Sequence, residues 1–432
     1  MSDQFVPVEL RGAIDPEAVF LALRARHEHV FWLDAGPGAT DGWSWVGHGA
    51  AEPDAGRVRA VELGAQRSPG HAGRFRGGWV GWLGYEQAAA RAGAPAAASD
   101  EDVPQERWIR AGGFVAFDHS SARAWAWAPE SSAQEFASAM TIPAPPERVD
   151  AAVPQRVRAR HEPGHYARLV EKCREAIREG DAYQLCLTTR FEVTGHVDAA
   201  DAYRRLRSAT PAHHGGIIVT GDTALASASP ERFLEVERGV VRTRPIKGTR
   251  PRGGDPAEDA DLAAELLASE KERAENVMIV DLMRNDLSRV CVDGTVGVDA
   301  LLDVESYPAV HQLVSSVSGE LTEGTTLDGL LDAAFPAGSM TGAPKLSAMT
   351  ILHRLEGAPR GVFAGAFGWI GDDGALDLAM VIRSIVVHPD GAYVGAGGGI
   401  TWGSDPEAEV AEVGVKARSP LAAIGGILPP GW

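Results

Sequence analysis

Residues 166–191 read YARLVEKCREAIREGDAYQLCLTTRF, and within this stretch the hydrophobic period changes from that of a helix to that of a strand. Apolar side chains recur at helical spacing as far as Ile177, and Gly180 is placed to end the helix. From Tyr183 to Phe191 apolar and polar residues alternate, which predicts a half-buried strand with one polar face. The segment therefore predicts a helix followed by a strand.

The rest of the chain repeats both patterns in no fixed alternation. Apolar runs predict further strands at 216–220, 232–243, 362–370, 379–387 and 392–396. Helical periodicity predicts helices at 256–289 (interrupted), 327–334, 344–355 and 406–418. Because strands come in groups as well as singly between helices, we predict a large α+β fold rather than a strict βαβ series.

A proline-rich segment divides the chain. Residues 141–154, TIPAPPERVDAAVP, contain four prolines and little apolar periodicity, which is the composition of a stiff linker. We predict an N-terminal region at 1–140, a linker at 141–160 and a larger C-terminal region at 161–425. In the N-terminal region, GGWVGWLGYE at 77–86 predicts an apolar strand interrupted by glycines.

Composition and charge exclude several classes of function. Lys plus Arg (41) against Asp plus Glu (59) give a formal charge of -18, and a surface that acidic repels nucleic acid and anionic membranes. An anionic substrate would need a locally cationic site or a metal. The sequence contains no apolar run of membrane-spanning length, and its first residues, MSDQFVPVEL, lack the features of a signal peptide. With three widely separated cysteines, these features predict a reduced, cytoplasmic enzyme.

Two apparent catalytic motifs are rejected on local grounds. His161-Glu162-Pro163-Gly164-His165 matches the zinc-protease string, but that chemistry needs both histidines on one helix and Pro163-Gly164 interrupts it. The cysteines, Cys173, Cys186 and Cys291, lie in helix or strand patterns among bulky residues, so a cysteine nucleophile is not expected.

Two acidic pairs are the best candidates for a metal site. Glu272 and Glu275 are three residues apart, as are Glu409 and Glu412, so each pair shares one helix face. Four carboxylates from two helices, without His or Cys, suit Mg²⁺. Each pair alone is also compatible with an ordinary exposed helix face, and Ser269 with Glu272 could form a capping box.

Three loops carry further candidate residues. In RPIKGTRPRG at 244–253, prolines and glycines hold Lys247 near other cations, which can make a lysine nucleophilic, although a solvated basic loop is the plainer interpretation. FPAGSMTGAPK at 335–345 opens a helix, where backbone N–H groups favour an anion. GAGGG at 395–399 lets a ligand lie against the main chain.

Together these segments resemble the chorismate-utilising enzymes, the large subunits of anthranilate and aminodeoxychorismate synthases. The resemblance covers essentially all of 165–425 and rests on segments that occur in the family's order: YQLCLTTRF, SPERFL, RPIKGTRPRG, KERAENVMIVDLMRNDL, VHQLVSSVSGEL, FPAGSMTGAPK, RGVFAGAFGWIG and GAGGGITWGSDPEAEVAEVGVKARS. It implies a sandwich of two large antiparallel β-sheets flanked by helices, with a chorismate site in the C-terminal region.

The resemblance also implies roles for individual residues. Glu275 and Glu412 would bind Mg²⁺ directly, and Glu272 and Glu409 through water. Glu231 would be the general acid that protonates the departing C4 hydroxyl. The substrate would be bound by a cationic pair and by a set of lining residues: Lys416 and Arg383; Gly397, Gly399, Thr249, Ser339, Thr341 and Gln184.

The loop at Lys247 distinguishes the members of the family. Anthranilate synthases typically have alanine there, whereas P-I-K-G-T resembles aminodeoxychorismate synthases, in which the lysine attacks C2 of chorismate and ammonia then attacks C4. Isochorismate synthases have a lysine base where this chain has Gln184, and glutamine cannot deprotonate water. The family histidine of anthranilate synthases is replaced by Gln312, and His311, one residue earlier, is not expected to take its role.

The resemblance therefore implies a Mg²⁺-dependent synthase of 4-amino-4-deoxychorismate, on a route to 4-aminobenzoate and folate. Ammonia would come from glutamine through a partner glutamine amidotransferase. Anthranilate synthase component I is the alternative within the family. A non-catalytic scaffold that binds an anion or a glutaminase is the alternative outside it.

Overall fold

The computed structural model describes residues 4–64, 72–99, 102–140, 149–307 and 310–432, and those residues form 20 β-strands and 11 α-helices. The strands are β1 (Phe5–Leu10), β2 (His29–Asp34), β3 (Trp43–Ala51), β4 (Gly78–Leu83), β5 (Glu106–Asp118), β6 (Arg123–Pro129), β7 (Val157–Ala159), β8 (Gln184–Thr194), β9 (His214–Thr220), β10 (Thr223–Ser229), β11 (Arg232–Glu237), β12 (Val240–Thr243), β13 (Ile246–Pro251), β14 (Gly297–Ser306), β15 (Val310–Glu320), β16 (Gly342–Ala343), β17 (Ala366–Gly371), β18 (Leu376–Met380), β19 (Ser384–His388) and β20 (Gly391–Ile400). The helices are α1 (Pro16–Arg24), α2 (Ala55–Arg59), α3 (Tyr85–Arg91), α4 (Ala133–Ala139), α5 (Pro163–Glu179), α6 (Ala199–Ala209), α7 (Pro256–Ala268), α8 (Glu270–Leu287), α9 (Leu327–Ala334), α10 (Lys345–Glu356) and α11 (Pro406–Ala423).

The strands form two antiparallel sheets joined through β5. In the first sheet the neighbours run β8, β20, β19, β10, β9, β2, β3, β5, β6 and β1, and β7 and β16 pair with β8. In the second sheet they run β5, β4, β17, β18, β11, β12 and β15, and β13 and β14 pair with β15. The predicted α+β class is confirmed.

The two sheets face each other across one apolar core, and helices cover the first sheet on its other side. Phe31 belongs to the core that also contains Trp45 and Trp369, whose rings lie 5.9 Å apart across the sandwich. The next residue, Trp32, points the opposite way, and its ring lies 5.3 Å from that of Tyr203 on α6. Successive side chains of a strand alternate between faces, so β2 contributes to both cores.

Strands from before and after the proline-rich segment pair with each other. β2 pairs with β9, and β4 pairs with β17. The regions predicted at 1–140 and 161–425 therefore both contribute strands to both sheets. The boundary between the two regions stays a prediction. Residues 141–148 of the predicted linker lie outside the described residues.

The helix and strand predicted at 166–191 are present, but one detail of the strand prediction was wrong. α5 ends where Gly180 adopts a left-handed conformation with φ 86°, as expected of a helix-ending glycine. β8, however, is buried on both faces over its first eight residues, and Tyr183, predicted on the apolar face, is 70% exposed just before the strand begins. The alternation of apolar and polar residues does not reveal this burial, because the polar side chains of β8 contact other protein groups.

No described helix is both long enough and apolar enough to cross a membrane.

Candidate active site

The first feature of the site is the close approach of three strand ends. β20 pairs with β8 so that Gly399 lies opposite Cys186. A Cβ atom placed on Gly399 would lie 2.5 Å from Gln184 Nε2 and 3.5 Å from Lys247 Nζ. A side chain at 399 would therefore displace the Gln184 amide, so glycine leaves room beside β20 for that amide and for the end of Lys247. The structure brings together three residues that are distant in sequence.

Lys247 lies on β13, half-buried, and the next residue packs against α8. Gly248 has φ +85°, and a Cβ there would lie 3.1 Å from the side-chain carbons of Glu272 and 2.7 Å from Leu266. The left-handed backbone at Gly248 brings this strand against the first acidic pair. The lysine and the glutamates therefore belong to one site.

Glu231 is a buried carboxyl beside this lysine. Ser339 Oγ donates a hydrogen bond to Glu231 Oε1 over 3.1 Å. Burial raises the pKa of Glu231 to about 7, although the charges of Lys247 and Lys416 and the Ser339 hydrogen bond act in the opposite direction. A carboxyl of this kind carries a proton near neutral pH, which is what a general acid requires.

Gln184 is the second unusual polar side chain. It is fully buried, and neither its amide oxygen nor its amide nitrogen has a hydrogen-bond partner. Buried amides without partners are rare, because the lost hydration is costly. Next to Lys247 and Gly399, this amide is available to a ligand.

The two acidic pairs lie on helices with capped N-termini. Ser269 caps α8 by accepting from the backbone N–H of Glu272, and Asp405 caps α11. Ser269 therefore caps the helix whose next turn carries Glu275. The capping interpretation and the metal-site interpretation of this segment are compatible. The caps fix where each helix begins and so which residues face the site.

The carboxylates of the pairs differ in their partners. Glu409 accepts a hydrogen bond from Ser404 Oγ at 2.7 Å, and a Cβ on Gly398 would lie 2.7 Å from its other oxygen. Glu412 forms a 2.6 Å ion pair with Lys416. Burial raises the pKa of Glu275 and of Glu409. The pKa of Glu412 is lowered because the attraction of Lys416 outweighs the effect of burial.

The donor chemistry of the pairs fits a hard cation, but the carboxylates are not yet gathered around one point. Among the described residues, no three His, Cys, Asp or Glu side chains are close enough together to hold a metal ion. Glu275 Oε1 is buried without a hydrogen-bond partner, as expected of an oxygen that awaits a cation. Magnesium binding by these residues therefore stays a prediction.

Sequence reasoning missed Lys271, which lies between the two acidic helices. Its Nζ is 3.9 Å from Glu275 Oε1 and 3.8 Å from Glu409 Oε1. Only the four-residue spacing from Lys271 to Glu275 was visible in the sequence, and that spacing is common on exposed helices.

The predicted substrate cations have different surroundings. Lys416 Nζ donates to the carbonyl oxygen of Gly397 at 2.7 Å besides pairing with Glu412. Arg383 has φ 52°, a conformation that costs energy for a residue with a Cβ. Burial lowers the pKa of Arg383, opposed by Glu412, and no carboxylate of the described chain lies within ion-pair distance of it. A strained, half-buried guanidinium without an ion-pair partner among the described residues suits a carboxylate ligand.

The remaining predicted lining residues divide between the site and its support. Thr249 is exposed on β13. Gly397 lies on β20, where a Cβ would be 2.4 Å from the carbonyl of Leu187. The hydroxyl of Thr341 donates to the carbonyl of Ala337 at 3.1 Å, so its side chain holds the loop that carries Ser339.

The residues rejected from the sequence occupy structural positions. α5 begins at Pro163, which leaves His161 outside the helix that carries His165. All three cysteines are free and buried, and burial raises the pKa of Cys291 to about 11 and also that of Cys173 and Cys186.

His311 turns away from its neighbour Gln312, as predicted. The ring of His311 contacts Asp259 and Ser306, each at 2.8 Å. Gln312 lines a cavity of about 680 Å³, whose walls also include Asp34, Trp43, Arg74 and Trp369.

Comparison with known proteins supplies a family. A model of chorismate binding enzymes matches residues 28–422. An aminodeoxychorismate synthase of Streptomyces pristinaespiralis is 42% identical over 81% of this chain, which covers 51% of that relative's length. Anthranilate synthase component 1 of Streptomyces coelicolor is 38% identical over 96% of this chain and 87% of its own length. The crystal structure of anthranilate synthase component I from Streptococcus pneumoniae TIGR4 superposes with a TM-score of 0.76 at 29% identity, covering 97% of this chain and 92% of that one.

Proposed function

The chain belongs to the chorismate-binding enzyme family, and we propose that within this family it converts chorismate and ammonia to 4-amino-4-deoxychorismate. The observation that carries the proposal is the position of Lys247. Its Nζ and the amide of Gln184, which has no hydrogen-bond partner, both lie close to Gly399. An amine at the centre of a buried polar site is suited to nucleophilic catalysis. The relative with 42% identity, an aminodeoxychorismate synthase, supports the same assignment.

The proposed reaction is two successive displacements. The lone pair of Lys247 Nζ bonds to C2 of chorismate, both double bonds of the ring diene shift by one position, and the C4–O bond breaks. Glu231 gives its proton to the departing oxygen, which leaves as water. Ammonia then bonds to C4, both double bonds shift back, and the C2–N bond breaks to return the electron pair to Lys247. The proton that ammonia loses on forming the C4 amine restores the acid form of Glu231. Dividing one difficult substitution into two easier ones is the advantage of a covalent intermediate.

Glu231 suits the acid role because its surroundings differ from those of the other glutamates. Its pKa of about 7 leaves a large protonated fraction at neutral pH, and Ser339 fixes one of its oxygens. Glu231 can act as the acid without contacting the proposed metal ligands. Ser339 would no longer position the Glu231 carboxyl and its proton if the loop at 338–343 moved.

Substrate anchoring would use the charges that surround this centre. Arg383 and Lys416 would bind carboxylate groups of chorismate, which offsets the repulsion expected from a chain of net charge -18. Mg²⁺ held by Glu275 and Glu412, with Glu272 and Glu409 acting through water, would neutralise a further carboxylate when bound. The buried Glu275 Oε1, which accepts no hydrogen bond, supports this assignment.

Anthranilate synthesis is the second candidate, and overall similarity alone does not exclude it. The relative covered over 87% of its length is an anthranilate synthase component. Two features favour the 4-amino product: a lysine stands at 247, and Gln312 replaces the family histidine. A non-catalytic scaffold is disfavoured because the lysine, the acid and both glutamate pairs are all present.

We also propose that ammonia reaches this site from a partner glutamine amidotransferase, in the cytoplasm. Release of ammonia from glutamine normally needs an activated cysteine, and the three cysteines of this chain are buried with raised thiol pKa values. Free thiols also suit a reducing compartment.

The test replaces the nucleophile. In Lys247→Ala the covalent route is lost, so formation of 4-amino-4-deoxychorismate from chorismate, Mg²⁺ and ammonium should fall on the order of a hundredfold or more. Residual product should carry nitrogen at C2, identified by mass and ultraviolet spectrum. Lys172→Ala, which removes an exposed lysine on α5, should match the wild type. Wild-type rates of the 4-amino product from Lys247→Ala would contradict the proposal.

A further inference from the structure

Lys271 occupies the space between two carboxylates that come from different helices. Glu275 follows it by one turn on α8, and Glu409 projects from α11. The Nζ atom lies 3.9 Å from one carboxylate and 3.8 Å from the other. The two glutamate side chains are only 10% and 4% exposed, whereas that of Lys271 is 53% exposed. The lysine therefore reaches from the surface to a buried acidic pair.

An ordinary solvated ion pair on a helix surface does not explain this arrangement. A pairing four residues along one helix would satisfy Lys271 and Glu275 alone. The second carboxylate, Glu409, belongs to a helix that starts more than a hundred residues later, and it is nearly buried. Two buried carboxylates facing each other repel strongly unless a cation lies between them.

The contacts of Lys271 are loose enough to be exchanged for others. Both separations exceed hydrogen-bond length, and Glu275 Oε1 has no hydrogen-bond partner at all. Glu409 accepts a separate hydrogen bond, from Ser404 Oγ at 2.7 Å. The ammonium group is therefore held by charge rather than by directed bonds.

We propose that Lys271 is a resident counter-ion that stabilises the Glu275–Glu409 pair before a divalent cation binds, and that it competes with that cation for the same carboxylates. This inference rests on the magnesium site of the proposed function. It assigns Lys271 a positioning role that sets the metal affinity.

Removal of the lysine charge should tighten metal binding. In Lys271→Gln a divalent cation no longer has to displace an ammonium group or remain close to one. We expect the affinity for Mn²⁺, a spectroscopic substitute for Mg²⁺, to rise on the order of fivefold. Lys271→Ala, which removes the side chain as well, should give the same direction of change. Lys172→Gln makes the same charge change at an exposed position on α5 and should leave the affinity unaltered.

The measurement is a titration of the metal-free, full-length chain with Mn²⁺, in which electron paramagnetic resonance reports the free ion. Tighter binding by both Lys271 variants, with Lys172→Gln unchanged, would support the proposal. Unchanged or weaker binding by the Lys271 variants, with clear binding by the wild type, would overturn it and leave the proposed function intact. If the wild type binds no Mn²⁺, the metal assignment fails and the role of Lys271 fails with it.

Discussion

At the scale of single residues, Glu231 shows how the fold makes an ordinary carboxyl chemically useful. Its burial raises the pKa from 4.5 to about 7, because the charged form would be poorly solvated there. Folding therefore favours the protonated form. Between pH 4.5 and 7 the native chain binds more protons at this position than the unfolded chain, so this contribution reduces stability as the pH rises.

Replacement of Glu231 should remove that pH dependence. We expect Glu231→Gln to gain stability relative to the wild type between pH 5 and pH 8, by up to about 3 kcal/mol. The measurement is the free energy of unfolding from urea titrations of metal-free protein at both pH values. A difference between variant and wild type that is the same at pH 5 and pH 8 would show that the Glu231 pKa is not raised.

Lys247 and Lys271 show what a sequence can and cannot reveal about individual residues. Lys247 was predictable because prolines and glycines surround it and because its loop resembles one from a known family. Lys271 was not, because its partner Glu409 is brought close only by the packing of α8 and α11. Spacing along a helix predicts neighbours on that helix alone.

At the scale of elements, the absence of a side chain at Gly399 leaves room beside β20 for the Gln184 amide and for the end of Lys247. We expect Gly399→Ala to displace the Gln184 amide from its place beside Lys247 and to lower kcat/KM on the order of a hundredfold, since small misplacements in an active site are costly. Gly403→Ala is the matched control, because a Cβ there would meet nothing within 4 Å. Steady-state kinetics with chorismate decide the matter. Equal loss in both variants would show that the effect is not specific to the strand contact.

Element types were more predictable from the sequence than their surroundings. The helices at 256–289 and 327–334 were predicted because capping residues and apolar periodicity are local properties, and α7, α8 and α9 occupy those positions. The burial of β8 on both faces was not, because Thr188 turns its hydroxyl to Glu356, a residue far along the chain. Alternating polarity indicates a solvent-facing side only when no distant partner covers it.

At the scale of the whole molecule, a local grouping of cations would reconcile the acidic net charge with the anionic substrate that we propose. Lys247, Arg383 and Lys416 are the cations of the proposed site, within a chain whose formal charge is -18. Long-range repulsion is screened over roughly 10 Å in ordinary salt, so the nearby cations dominate once the substrate enters. The family and the paired sheets were predictable from motifs spread over the C-terminal region, whereas the sharing of both sheets with the N-terminal region emerged only from strand pairing.

The nitrogen source is a property of the whole chain. We expect the purified 432-residue chain to use ammonium salts, faster at alkaline pH where NH₃ is more abundant, and to fail with glutamine alone. The reason is that none of its cysteines is exposed or activated. Addition of a cognate glutaminase should confer glutamine-dependent turnover. Glutamine-dependent turnover by the single chain, stopped by a cysteine alkylator, would refute a separate glutaminase.

The most direct test of the central claim is the identity of the product. The purified chain would be incubated with chorismate, Mg²⁺ and an ammonium salt, and the products separated and identified by mass and ultraviolet spectrum. We expect 4-amino-4-deoxychorismate, with the enolpyruvyl group retained. Release of pyruvate with formation of anthranilate, or no consumption of chorismate at all, would contradict the assignment.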